Sequence, residues 1–182
     1  LGAILARCGS AVLSAPGGCE LGPRPIDLHL AALRQMGVVI EEDGKKLFCR
    51  ADKLCGTDIR LPFPSVGATE NIMLAATACK GTTRIYNPAK EPEIVDLQRF
   101  LQRCGVQIDG AGGGLIEITG GPVTNDPEHT VIPDRIATVT YFAACCAAGG
   151  DIELLGVNPD HWRPIFELLK NAGAELSVTP AG

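Results

Sequence analysis

Cys19 stands in the stretch PGGCELGPRPIDLH, residues 16–29, between a Gly-Gly pair and Arg24. The loop from Pro16 to Pro23 holds three glycines and two prolines with no repeating apolar spacing, which is the composition of an exposed, adaptable segment. In a folded-back loop Arg24, five residues on, is near enough to lower the thiol pKa from about 8.5 toward neutrality. A thiol titrating in that range serves as proton donor or nucleophile. The alternative is an incidental surface cysteine.

A second candidate is PSVGATENI, residues 64–72. Ser65 is a good helix N-cap, Gly67 lets a ligand approach the backbone, and Glu70 is close enough for a variant of the capping box. The first turn of a helix leaves amide N–H groups unpaired, so this start can bind phosphate or diphosphate; an ordinary capped helix is the simpler reading. In KEPEIVD, residues 90–96, Glu91 and Glu93 flank a proline at a helix start. Carboxylates suit that end of the macrodipole, and acid/base work is the alternative use. In IPDRIATVTYF, residues 132–142, Asp134 caps a helix that Arg135 begins. His129 and His161 have no acid or cysteine at ligand spacing, so neither is assigned to a metal.

These residues are carried by a chain of 182 residues, 46% hydrophobic, with net charge -5. That is enough for a sizeable core in one domain or two small ones. The 16 Lys and Arg are scattered and aromatics make up 4%, which argues against a nucleic-acid surface. No apolar run reaches the ~18 residues of a spanning helix. Residues 1–18 suggest a signal peptide, yet Arg7 and Cys8 interrupt the run and no basic segment precedes it. A soluble, cytoplasmic protein is expected. The opening LGAILARCG, starting at Leu1, reads as the tail of a helix, so an internal piece of a longer chain is expected. Eight cysteines form no C-x-x-C pair; apart from Cys19 they are expected to be small buried hydrophobes in a reducing compartment.

The elements that position the candidates come in copies. LAALRQMGVVIEEDG, LQRFLQRCGVQIDGAG and IFELLKNAGAELSVTPAG align on Gly37, Gly105 and Gly173, each 68 residues after the last. Each pivot glycine ends an amphipathic helix and lets the chain reverse into a strand. Alternation in VVIEE, KLFCRAD, VQID, LIEIT and ELSVT predicts further strands. The α/β unit is therefore strand, helix, strand, helix, strand, strand, with a complete copy from about Ile59 to Thr119, an incomplete one before it and a third beginning near Thr130. Gly9 to Gly37 spans 28 positions against 24 for Gly81 to Gly105. The surplus lies around Cys19, where a lid residue would sit. GGPVTNDPEH, residues 120–129, is the best linker. RIATVTYFAACCAAGG is apolar on nearly every face and IMLAATAC almost so, which predicts helices packed together inside and sheets outside.

In order and spacing, PGGCELGPRPIDLH, FPSVGATENIM, EPEIVD and PDRIATVTYF resemble the UDP-N-acetylglucosamine 1-carboxyvinyltransferases, the enolpyruvyl transferases that begin peptidoglycan synthesis. The resemblance covers this whole sequence and about the middle two-fifths of the family's usual chain. It implies an inside-out α/β barrel of six such repeats in two domains, with the active site in the cleft between them. Residues 1–125 are then part of the first domain with the cysteine lid, and residues 126–182 start the second. By position Cys19 matches the family's lid cysteine, which protonates the methylene carbon of phosphoenolpyruvate and is alkylated by fosfomycin. Arg24 matches a residue on the phosphate of phosphoenolpyruvate. Arg24, Pro25, Ile26, Asp27 and Leu28 match the segment that holds the uridine, and Ser65, Val66 and Gly67 the turn that receives the diphosphate. Phe63 stands where some members carry a lysine, and Ala137 and Val139 where a glutamate and a small residue are expected.

The reaction implied is addition of the sugar 3-hydroxyl to C2 of phosphoenolpyruvate followed by loss of phosphate, with no metal or organic cofactor and no nucleic-acid or membrane partner. The family's N-terminal lysine and asparagine and its later aspartate and arginines fall outside this sequence, so slow or no turnover is expected of the chain alone. The alternatives are a non-catalytic nucleotide-sugar binding module of the same fold and a paralogous enolpyruvyl transferase acting on shikimate 3-phosphate.

Overall fold

The computed structural model describes residues 1–14, 26–44 and 46–178, and the chain divides into two units, Leu1–His129 and Thr130–Gly182. The first unit begins with helix α1 (Gly2–Cys8), strand β1 (Ser10–Ser14), helix α2 (Asp27–Gln35) and strands β2 (Val39–Asp43) and β3 (Lys46–Arg50). It continues through β4 (Asp58–Arg60), α3 (Val66–Ala76), β5 (Thr82–Tyr86), α4 (Pro92–Arg103), β6 (Gln107–Asp109) and β7 (Leu115–Thr119). From β4 to β7 this is the predicted strand, helix, strand, helix, strand, strand unit. The pivot glycines turn the chain: Gly37, Gly105 and Gly173 have φ of 96°, 93° and 99°, the left-handed region that a Cβ penalises.

The two sheets repeat one another. In the first the order is β1-β3-β2 and in the second β4-β5-β7-β6, so the last strand of each copy lies between its partners. The ladders onto β3 and β7 from both sides are antiparallel, and β4 joins β5 in parallel. Alternation decides which face is covered. Thr83 opposite Ile118, and Ile85 opposite Ile116, point inward and are fully buried, each aliphatic side chain stabilising by about 1.5–3 kcal/mol. Arg84 opposite Glu117 faces out, with its Nε donating to Glu117 Oε1 at 2.6 Å.

Helix α3 is the hub of the first unit, with Ala68, Ile72, Met73, Ala75 and Ala76 wholly buried. Its neighbour α1 comes so close that a Cβ built on Gly2 would lie 2.2 Å from the Asn71 carbonyl oxygen. The helices therefore lie inside and the strands outside, as the apolar IMLAATAC run predicts.

The second unit contains α5 (Arg135–Ala148), a 3-10 turn over Pro159–His161 and α6 (Arg163–Asn171). Trp162, 4% exposed, packs between Phe142 at 4.9 Å and Phe166 at 5.5 Å. Two expectations are corrected here. No strand occurs among this unit's described residues, although ELSVT alternates. In the first unit β1 and β2 each pair with β3, and β6 pairs with β7, whereas ELSVT has no such ladder partner among the described residues. Nor is α5 wrapped: Ile136 and Tyr141 are 64% and 59% exposed, because one short helix and one indole cover a single face. The cysteine expectation is also corrected in part. Cys49, Cys79 and Cys104 are buried, while Cys8, Cys55 and Cys146 are exposed and Cys145 is half-buried.

Candidate functional site

Cys19, Arg24 and Pro25 lie outside the described residues. Of the predicted site, Ile26, Asp27, Leu28, Ser65, Val66 and Gly67 are described, and they form two helix starts. Ile26 is the N-cap of α2, and Asp27, exposed in its first turn, sits at the positive end of the helix. Leu28 is half-buried against the core. Ser65 caps α3, its Oγ accepting from the Ala68 amide at 3.4 Å. Ala68 holds the position that a capping box gives to glutamate, so Glu70, two residues beyond, makes no box.

The start of α3 is anchored from below. Thr69, fully buried, donates its Oγ1 hydrogen to the Ser65 carbonyl at 2.8 Å and accepts from the Ala89 amide at 3.1 Å. The amides of Val66 and Gly67 precede the first intrahelical bond and point out of the helix end.

His29, at the end of PGGCELGPRPIDLH, joins the two helix starts. Its Nδ1 lies 2.6 Å from Asn71 Nδ2, and a Cβ on Gly67 would meet its Cε1 at 3.2 Å and Nε2 at 3.5 Å. Glycine at 67 thus makes room for an imidazole as well as for any ligand. Burial, which favours the neutral ring, pushes the His29 pKa down, opposed by the charge of Asp27. Sequence reasoning missed both His29 and Asn71 as site residues, although each stands inside a quoted motif. Their pairing spans 42 residues and has no local spacing to betray it.

The remaining candidates have other partners. Glu91 is the N-cap of α4 and accepts from the Lys90 amide at 2.8 Å. The Glu70 carboxyl is pushed up by burial and then by the charge of Glu93. Asp134 caps α5, its Oδ1 accepting from Ile136 and Ala137 at 2.8 and 3.0 Å. His129 is not isolated: its Nε2 is 3.1 Å from Asp96 Oδ1. His161 pairs with Asn158 at 2.9 Å. Phe63 is exposed just before the capping serine. Among the described residues no three His, Cys, Asp or Glu side chains are grouped to hold a metal ion, and no helix is long and apolar enough to cross a membrane.

Repeated α/β units packed helices-inward make a fold of the enolpyruvyl transferase kind. The chain belongs to the EPSP synthase (3-phosphoshikimate 1-carboxyvinyltransferase) family, which it matches over residues 1–182. It is 48% identical over 178 residues to UDP-N-acetylglucosamine 1-carboxyvinyltransferase 2 of Caldanaerobacter subterraneus, covering 98% of this chain and 43% of that protein. It is 45% identical over 184 residues to the UDP-N-acetylglucosamine 1-carboxyvinyltransferase of Rhodospirillum centenum, again covering 43% of that protein. The fold is shared with the enolpyruvyl transferase NikO of Streptomyces tendae, with a TM-score of 0.78 at 23% identity over 98% of this chain and 44% of that one. The chain thus spans less than half the length of the relatives it matches.

Proposed function

We propose that this chain is the cysteine-bearing part of a cytoplasmic UDP-N-acetylglucosamine 1-carboxyvinyltransferase of peptidoglycan synthesis, with residues 1–125 from its first domain and 126–182 opening its second. The observation that carries this reading is the 48% identity across 98% of the chain to a protein of that name. Cys19 gives its proton to C3 of phosphoenolpyruvate as the sugar 3-hydroxyl oxygen bonds to C2 and loses its own proton to a base. A proton then leaves C3 and the C2–O bond to phosphate breaks, so the enol ether and inorganic phosphate are released. Arg24 neutralises the phosphate of phosphoenolpyruvate. Arg24 through Leu28 hold the uridine, and Ser65, Val66 and Gly67 receive the diphosphate on unpaired amides. No metal or organic cofactor takes part.

Fosfomycin, an epoxide that a thiolate opens to a thioether, tests the central residue. Peptide mapping after treatment in the presence of UDP-N-acetylglucosamine is expected to find the adduct on Cys19 and to leave Cys8, Cys55 and Cys146 unmodified, although all three are exposed. Equal labelling of those exposed thiols would favour the non-catalytic binding module. Calorimetry with UDP-N-acetylglucosamine and with shikimate 3-phosphate decides the acceptor, heat with the sugar nucleotide alone being expected. Steady phosphate release by this chain alone is not expected, since it spans 43% of its relatives.

A further inference from the structure

We infer that Asn71 is a positioning residue that locks His29 in its Nε2–H tautomer, so that a single ring N–H is offered at the start of α3. The argument runs from an unambiguous donor. The backbone amide of Gly2 can only donate, and it lies 2.7 Å from Asn71 Oδ1, which fixes the orientation of the Asn71 amide. The NH2 group therefore faces His29 and donates across 2.6 Å to Nδ1. A neutral imidazole that accepts at Nδ1 carries its proton on Nε2. That edge of the ring rests on Gly67, 3.5 Å from where a Cβ would be, in the first turn of α3. The relay Gly2, Asn71, His29 thus crosses α1, α3 and α2 and adds a ring N–H to the same helix start. The charged side chain that acts on the ring is Asp27 on its own helix. Resting on the reading above, the ligand that this N–H meets is the diphosphate of the sugar nucleotide.

Asn71→Asp tests the lock with almost no change of shape, because a carboxylate can only accept. It still takes the Gly2 amide but now requires a proton on Nδ1. Long-range 15N–1H spectra of the His29 ring are expected to show a protonated Nε2 and a bare Nδ1 in the natural chain. In Asn71→Asp the proton should move to Nδ1, with a rise in the His29 pKa. A natural chain protonated on Nδ1, or a tautomer unchanged by the substitution, overturns the inference. Both spectra are read without ligand, so they stand apart from the sugar-nucleotide assignment. Titrating UDP-N-acetylglucosamine is then expected to move Nε2 in the natural chain and to bind about tenfold more weakly to Asn71→Asp. If the tautomer is locked as described but no nucleotide binds, it is the functional reading that fails.

Discussion

Glu70 and Ser65 show how the same helix start treats two polar residues differently. Burial and the nearby Glu93 raise the Glu70 pKa, so folding favours its protonated form. The stability this contributes is present in full below the ordinary glutamate range and is lost as pH rises through the raised value. Glu70→Gln should therefore raise the melting temperature at pH 7, and the gain should vanish in scans below the glutamate range; a gain independent of pH would contradict this. Ser65 makes one long cap bond of 3.4 Å. Urea unfolding of Ser65→Ala should accordingly show a loss near the low end for N-caps, about 0.5–1 kcal/mol. Asp134, which holds two amides, should lose about 1 kcal/mol or more as alanine. Ser65 and Asp134 could be read as caps from residue type and position. The environment of Glu70 could not, because its neighbour arrives from another helix.

At the scale of elements, the pairing of β7 with β5 and β6 seats its inward side chains in the core of the first unit. Ile116 and Ile118 have no exposed surface, and Ile116→Ala should cost about 2–5 kcal/mol by chemical denaturation. A loss well under that would mean the sheet can collapse onto α3. Gly2→Ala presents the opposite fault. The added carbon would lie 2.2 Å from a backbone oxygen of α3, which cannot rotate away, so α1 must move. Its expected cost is about 1–3 kcal/mol, with the Asn71 contact disturbed as well. The strands of both sheets were legible in their alternation because one face of each is covered. ELSVT of the second unit alternates equally well, yet its described residues join no strand, since a ladder needs a partner that periodicity does not supply.

For the molecule as a whole, burial sets three of the described cysteines apart from three others, with Cys145 between them. Thiol titration of the native chain with peptide mapping should modify Cys8, Cys55 and Cys146 before Cys49, Cys79 and Cys104. Cys49, Cys79 and Cys104 are buried, and burial also raises the thiol pKa of Cys49 and Cys79, so all three should react only after denaturant is added. The linker at 120–129 has few apolar residues but is not loose. Thr124 and Asn125 amides donate to the Cys104 carbonyl at 3.1 and 3.3 Å, Arg103 donates to the Glu128 carbonyl at 3.1 Å, and Phe100 meets His129 edge-on at 5.5 Å. This segment therefore belongs to the packing of the first unit, a fact that its turn-rich composition conceals.

Read alone, the sequence determined the repeat of 68 residues, the order of elements within it, the pivot glycines and the motifs that point to enolpyruvyl transfer. All of these are local patterns or copies of one, and local backbone chemistry is enough to write them. Tertiary structure decided which cysteines are sheltered, that α5 is bare on most faces, and that His29, Asn71 and Gly2 form one chain of hydrogen bonds across three helices. Those outcomes depend on which distant surfaces meet, and the meeting of surfaces is a property of the packed chain that no stretch of residues encodes by itself.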